Sequence, residues 1–228
     1  RLLIKDMKNM RPDVMKPVIV LGAGGHAKVL IEALILSGNE IMGVTAPDLK
    51  KSTNYFGCNV LGTDDVIFNY SPNEVVLVNG VGSMPGNNLR RKLNDRMEKK
   101  GFQFATVVHP SVVMAGDVDI GSGTQIMAGV VIQPGVVIGR SCIINTGVNL
   151  DHDCVINNDC HLAPGVTLSG SVVVGERTHI GTGASVVQNI NIGHDCLIAA
   201  GSTVFKNILS GYKYIQKRKE CLTENNFF

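Results

Sequence analysis

The stretch IGSGTQIMAGVVIQPGVVIGRSCIINTGVNL, residues 120–150, carries an aliphatic side chain at every sixth position. The register then continues without a miss, reading Ile120, Ile126, Ile132, Ile138, Ile144, Leu150, Ile156, Leu162, Leu168, Val174, Ile180, Val186, Ile192, Ile198 and Val204. It also extends backward through Met114 to Val108. A strict period of six marks a parallel β-helix, whose short strands each send one apolar side chain inward before turning a corner. A helix of 3.6 residues per turn cannot keep such a row on one face, and the β-branched and glycine content opposes it as well. Two residues before each anchor stands a small or β-branched residue, from Val118 and Thr124 through Cys142, Cys154 and Cys160 to Cys196 and Ser202. These side chains are expected to fill the corners. Three hexapeptides make a triangular coil, so seventeen anchors give about five to six coils at the strand spacing of ~4.8 Å.

The whole chain has 228 residues and a formal charge of +2, too little to indicate a nucleic acid or a membrane surface as partner. The charge is uneven: residues 117–207 hold three basic and seven acidic side chains, while Lys213, Lys217, Arg218 and Lys219 crowd the end. Such a tail beside a groove suits phosphates. No apolar run of membrane-spanning length occurs, and Arg1 to Lys16 is basic without an apolar signal core, so a cytoplasmic location is expected. Met7, Met10 and Met15 are all available starts, and residues 1–14 are read as upstream or added sequence. The six cysteines include no CxxC pair, and four of them occupy inward corner positions, which points to packing rather than to metal or disulfides.

Ahead of the repeats, Lys16 to Gly22 reads as a buried strand that ends in Gly22-Ala23-Gly24-Gly25-His26. An apolar-periodic helix from Ala27 to Leu36 follows, closed by Gly38. Ile41 to Thr45 and Val75 to Val78 supply two further strands, Asn87 to Lys100 a charged helix, and Phe104 to Val108 a last strand before the hand-over at His109-Pro110. The alternation indicates a small parallel α/β domain. Four segments result: an extension over 1–16, a Rossmann-like domain over 17–107, the β-helix over 108–207 and a basic tail over 208–228. Gly22, Gly24 and Ala27 fit a dinucleotide-type glycine turn, which presents backbone amides and a helix N-terminus to phosphate oxygens. The acidic residue that usually closes the second strand is missing, since Thr45-Ala46-Pro47 stands there. His26 either donates to a phosphate or sugar oxygen or caps the turn. Gly80-Val81-Gly82-Ser83 sits where a second ligand loop belongs.

Within the β-helix, His152 falls in a corner and points outward, while His161 falls on the outward side of a strand on a different face. A corner and the face opposite it cannot touch within one prism. One site using both must therefore form between neighbouring copies, and the closed solution is a ring about a three-fold axis. His179 lies eighteen residues beyond His161, directly above it on the same face. Asp151 and Asp153 flank His152, and Asp151 takes a turn position where other repeats prefer glycine. A carboxylate beside an imidazole holds its tautomer and raises its basicity, as a general base needs. A solvated turn explains the same residues. His194-Asp195 repeats the corner arrangement, so the pair alone does not prove catalysis. A metal site fits poorly, because the nearby cysteines face inward and the histidines outward.

The sequence resembles the bacterial sugar O-acyltransferase family of hexapeptide-repeat acyltransferases. That family includes sialic acid O-acetyltransferases and N-acetyltransferases of UDP-4-amino-4,6-dideoxy sugars. The resemblance rests on the glycine turn at 22–26, on His109-Pro110-Ser111, on Asn145-Thr146-Gly147 through Asp151-His152-Asp153-Cys154, and on His161-Leu162-Ala163-Pro164-Gly165. It implies a left-handed β-helix, a homotrimer with sites between subunits, acetyl-CoA as co-substrate and no metal. It makes His152 the general base and Asp153 its acidic partner. His161 and Gly170 would contact the acetyl end of acetyl-CoA, with Thr182 and Ala200 beside the pantetheine arm. Gly24, Gly25, His26 and Gly82 would hold the nucleotide-sugar acceptor. Two features depart from the family: the acidic pair after the second strand, and the C-terminal element that borders CoA, here Gly211-Tyr212-Lys213-Tyr214. The expected activity is N-acetylation of a nucleotide-linked 4-amino-4,6-dideoxy sugar in bacterial glycan synthesis. The rivals are O-acetylation of sialic or a related acid, a non-catalytic β-helix scaffold, and a γ-type carbonic anhydrase.

Overall fold

The computed structural model describes residues 16–216, so Lys217, Arg218, Lys219, Cys221 and most of the N-terminal extension lie outside the described residues. The first unit is built on β1 (Val18–Leu21), four apolar residues buried on both sides. Next come α1 (Gly25–Leu36), β2 (Ile41–Thr45), a hairpin of β3 (Asn54–Tyr55) and β4 (Cys58–Gly62), a 3₁₀ segment at Asp64–Asn69, β5 (Val76–Asn79) and α2 (Leu89–Glu98). The sheet order is β3-β4-β2-β1-β5, parallel except within the hairpin. Leu30, Ile31 and Leu34 of α1 cover one face of the sheet, while Leu93 and Met97 of α2 with Phe102 cover Ile19, Leu21 and Leu77 on the other. Because β1 pairs with β5, the loops that follow them run side by side, joined where Gly80 N–H donates to the Leu21 carbonyl at 2.8 Å.

The expected strand at Phe104 to Val108 divides. Phe104 makes only a bridge to Leu77, whereas Val107–Val108 is the first rung of the β-helix, pairing with Gln125–Ile126. Chain direction explains the split: the segment leaves the edge of one sheet and enters the next within four residues. From there two-residue rungs repeat through Lys213–Tyr214. They form three parallel sheets of seven, six and five rungs. The first face holds Val107–Val108, Gln125–Ile126, Ile143–Ile144, His161–Leu162, His179–Ile180, Leu197–Ile198 and Lys213–Tyr214. The second face includes Asn149–Leu150 and Thr167–Leu168, and the third includes Val155–Ile156 and Val173–Val174. The solenoid thus runs past residue 207, because Ile208 bridges to Ile192 and Lys213–Tyr214 pairs with Leu197–Ile198.

Anchors and corner residues form one continuous core in which Ile144, Leu162, Leu168 and Val174 are wholly buried, as are Cys142 and Cys154. The five described cysteines are free thiols, and Cys160 Sγ sits 3.1 Å from the Gly175 carbonyl oxygen. Every corner from 123 to 201 turns through one left-handed residue, glycine at 123, 129, 135, 147, 165, 183 and 201. At the His152 corner that residue is Asp153 with φ of 59°, while Asp151 takes the place after the anchor that glycine holds at 121, 139, 175, 181 and 193. Asp tolerates this conformation because its short polar side chain bonds locally.

Coils stack so closely that some corners admit no side chain at all. A Cβ at Gly175 would lie 2.5 Å from both Gly193 C and His194 N, backbone atoms with nowhere to go. Gly175→Ala is therefore expected to cost roughly 1–3 kcal/mol of stability and so to lower the urea midpoint, whereas an unchanged midpoint would contradict this packing.

Candidate functional site

His152 sits in the turn between the second and third faces, with its side chain 59% exposed. Its Nδ1 lies 2.8 Å from Asp153 Oδ2, and Asp151 Oδ1 accepts the His152 backbone N–H at 2.8 Å. A carboxylate only accepts, so Nδ1 carries the proton and Nε2 keeps its lone pair. The Asp153 hydrogen bond raises the imidazole pKa, with the neighbouring negative charges of Asp151 and Asp153 adding to it.

The look-alike corner differs in its second neighbour. His194 Nδ1 lies 2.7 Å from Asp195 Oδ2, but Arg177 Nε and Nη2 also grip Asp195, at 2.7 and 2.8 Å. That fork holds the Asp195 carboxyl well below the usual range and leaves it a poorer acceptor for the imidazole. Asp153 has no such competitor among the described residues. Sequence alone shows two equal His-Asp corners; the residue eighteen positions earlier separates them.

His161 stands on the first face and pairs in register with His179, ring centroids 4.6 Å apart and edge to face. Its Nδ1 donates to the Ser83 carbonyl at 3.2 Å. Its Nε2 accepts from Asn145 Nδ2 at 3.3 Å, the amide being oriented by Thr146 N–H on Asn145 Oδ1. Burial, with help from His179, His26 and Arg90, lowers the His161 pKa to about 3. His161 is a neutral side chain whose ring faces the N-terminal unit.

The N-terminal loops come to that same face. His26 Nε2 donates to Gln125 Oε1 at 2.8 Å, and Gln125 Nε2 donates to the Asn79 carbonyl at 2.8 Å. Burial depresses His26 to about 4. Gly82 approaches the His26 Cβ, and Arg90 Nη1 clamps the adjoining loop through the carbonyls of Asn79 and Val81, both at 2.8 Å. Gly22 N–H donates to Thr45 Oγ1 at 3.1 Å, and the Thr45 hydroxyl in turn donates to Asp64. A carboxylate at the end of β2 is thus supplied by Asp64 of the 3₁₀ segment, beyond the β3–β4 hairpin. Tyr55 closes the turn from the hairpin side by donating to the Gly24 carbonyl at 2.9 Å.

The site residues read from the sequence fall into two groups. His152, Asp153 and Gly170 share one corner, with Gly170 eighteen residues beyond His152. His161 lies on the first face, near Thr182 and Ala200 in the corner between the first and second faces, and near Gly24, Gly25, His26 and Gly82 through the N-terminal loops. A polar cleft beneath Ser83–Asn88 is lined by Arg90, Arg91, Asp159, Arg177 and His179, and His152 has no part in it. Gln125, Asn79, Arg90 and Asp64 went unrecognised in the sequence. Gln125 alone leaves a trace there, as a polar side chain on a rung otherwise rich in aliphatics. Among the described residues no group of three or more His, Cys, Asp or Glu could hold a metal ion, and no helix is long and apolar enough to cross a membrane.

Residues 17–97 match the PglD N-terminal domain model and residues 106–224 the GMPPB C-terminal domain model. Over 119 residues the chain is 37% identical to the UDP-N-acetylbacillosamine N-acetyltransferase of Bacillus subtilis, covering 50% of this chain and 52% of that one. The match therefore spans about half the length of that curated relative. Among solved structures, a perosamine N-acetyltransferase variant from Caulobacter crescentus, in complex with CoA and GDP-perosamine, is 34% identical with a TM-score of 0.79. That alignment covers 86% of this chain and 92% of that chain. The acetyltransferase domain of PglB from Neisseria gonorrhoeae, in complex with acetyl coenzyme A, is 30% identical with a TM-score of 0.79, covering 87% and 95%.

Keeping His26 and His161 neutral has a consequence in acid. The unfolded chain takes up their protons near 6.5, the folded chain only near 4 and 3, so between these values the unfolded state binds more protons. Stability is expected to be full above pH 6.5 and to fall as pH drops toward 4. The urea midpoint should decrease from pH 7.5 to pH 5, and less so in His161→Asn; equal midpoints at both pH values would contradict the buried neutral histidines.

Proposed function

The chain belongs to the bacterial hexapeptide-repeat sugar acetyltransferases, with their small α/β unit and left-handed β-helix, and on that footing we propose that it transfers the acetyl group of acetyl-CoA to the amine of a nucleotide-linked amino sugar. The observation that carries this reading is the His152–Asp153 pair. Its Nδ1–H is held by a carboxylate that no other cation among the described residues touches, and its Nε2 lone pair lies at an exposed corner. A 4-amino-4,6-dideoxy sugar is the acceptor class we favour, as an amine needs less activation than a hydroxyl.

In the proposed step the sugar amine attacks the thioester carbonyl, and the C–N bond forms as His152 Nε2 takes the amine proton. Collapse breaks the C–S bond, and the leaving CoA sulfur receives a proton, so amine and acetyl-CoA give amide and free CoA. Asp153 stabilises the imidazolium without taking its proton. Base catalysis of this kind contributes typically about 10²- to 10⁴-fold. A backbone N–H aimed at the thioester oxygen would stabilise the oxyanion, and Gly170, beside the base, is the candidate. His161, protonated at Nδ1, offers a lone pair rather than a proton at Nε2. It suits an N–H of the acceptor or of the CoA arm better than the thioester oxygen.

The nucleotide part of the acceptor would lie on the loops after β1 and β5. The backbone amides of Gly24, Gly25 and His26 would face its phosphates, with Gly82 on the opposite side. Thr182 and Ala200 would border the pantetheine arm. His152 and His161 belong to different sides of one prism, which supports a three-fold ring in which the corner of one copy faces the first face of the next. A cytoplasmic location suits both substrates.

With purified protein and acetyl-CoA, CoA release is expected with a UDP- or GDP-linked 4-amino-4,6-dideoxy sugar and not with free sialic acid. His152→Ala should lose about 10²- to 10⁴-fold in kcat while keeping its oligomeric state. Release with sialic acid alone would move the reaction to O-acetylation, and undiminished turnover in His152→Ala would remove the base.

A further inference from the structure

Residues eighteen apart lie one above another, so His152 has Pro134 beneath it and Gly170 above, while Asp153 has Gly135 beneath and Ser171 above. The coils are locked at this point, since the Ser171 N–H donates to the His152 carbonyl at 2.8 Å and the Asp153 N–H to that of Pro134 at 3.1 Å. The imidazole keeps 59% of its side-chain surface exposed, yet one edge rests against the stack. It lies back along the corner, over the next coil. A Cβ placed on Gly170 would fall 2.5 Å from His152 Nε2, 2.6 Å from Cε1 and 3.1 Å from Cδ2. Three ring atoms thus occupy the space that any other residue at 170 would fill. The carboxylate is bedded in the same way on the other side, where a Cβ on Gly135 would fall 2.5 Å from Asp153 Oδ1.

Backbone conformation does not account for Gly170. Its φ lies outside the left-handed region, unlike Gly135 at 74°, and the main chain at 170 suits an L-residue. The contacts that exclude a Cβ there are the ring atoms of His152 rather than main chain, in contrast to Gly175. The look-alike corner lacks this arrangement. Eighteen residues before Asp195 stands Arg177, forked onto the carboxylate, in place of the glycine that precedes Asp153. A glycine bed on both sides is what distinguishes the His152–Asp153 pair.

We propose that Gly170 is a positioning residue of the reaction: the missing Cβ is the clearance in which the His152 ring lies flat, Nδ1 on Asp153 and Nε2 held over the Gly170 backbone. This role rests on His152 being the base, and goes beyond contact of Gly170 with the acetyl group. With a methyl there, the ring must rotate away from the corner, and Nδ1 and Asp153 cannot stay paired while Nε2 keeps its place. A misplacement of about 1 Å can lower a rate by roughly 10²-fold.

The test is a double-mutant cycle of Gly170→Ala with His152→Ala, read in thermal midpoint, kcat, KM for acetyl-CoA and the pH profile of kcat/KM. Gly170→Ala alone is expected to lower the midpoint and to reduce kcat about 10- to 100-fold, with KM for acetyl-CoA held and the acidic limb of the profile, which reports the base, displaced to lower pH as the Asp153 pairing is lost. In the His152→Ala background the obstacle is gone, so Gly170→Ala should cost neither further stability nor further rate. The midpoint readout needs no acceptor and stands even if the amino-sugar reading fails. Equal losses in both backgrounds would overturn the clearance role, as would a rise in KM for acetyl-CoA with kcat preserved. Wild-type turnover in Gly170→Ala, or a Gly170→Ala chain that stays unfolded after His152→Ala, would do the same.

Discussion

Everything in this chain depends on the lateral hydrogen bonding of one coil to the next. Each rung donates to the rung eighteen residues later, as Asn145 N–H does to Leu162 O at 3.0 Å and His161 N–H to Thr178 O at 3.0 Å. The ladder fixes which side chains meet, and it fixes them by number. His161 meets His179, Arg177 meets Asp195, and His152 meets Gly170 through that one spacing. A single inserted residue would move every outward group to another place in the corner and expose the inward column. The core of buried Ile, Leu, Val and Cys stabilises the stack, but the ladder decides what the surface of the stack can do.

The second determinant is the α/β unit seated on one of the three faces. It covers the rungs of Gln125 and Ile143 and part of those of His161 and His179, with Val107 and Met127 entering its core. A face of a bare prism would leave its histidines in water near pKa 6.5. Here desolvation and the nearby Arg90 charge hold His26 and His161 neutral, and hydrogen bonds to Gln125 and Ser83 choose their tautomers. The corner of His152 is left uncovered, so one chain offers a solvent-facing imidazole paired with a carboxylate and a buried neutral histidine, each shaped by its own environment. The two environments are on different sides of the same triangle.

The six-residue period made the rungs, the buried corner side chains and the outward histidines legible, because each follows from counting along a rigid repeat. Contacts between units were not legible. Nothing local marks Phe104 as the end of one sheet and Val107 as the start of the next, nor shows that Lys213–Tyr214 adds a further rung after the glycine-rich corners. The hairpin of β3 and β4 escaped notice because its strands are short and its turn residue Phe56 takes a left-handed φ of 49° that only tertiary context sustains. Asp64 could not be read as the partner of Thr45, since it stands nineteen residues away and on a different element. Within the candidate site, the resemblance already pointed to Asp153 as the partner of His152, but the choice between two His-Asp corners required the stacked neighbour of each.

In the proposed reaction His152 and His161 act together only across two copies of the chain, and this is its central claim. Co-expressing His152→Ala with His161→Ala and measuring turnover of the purified mixed oligomer tests this most directly. The account predicts that each variant alone is slow and that the mixture recovers a substantial part of the wild-type rate, because some interfaces then carry both native histidines. A mixture no faster than its components, although mixed oligomers have formed, would contradict it.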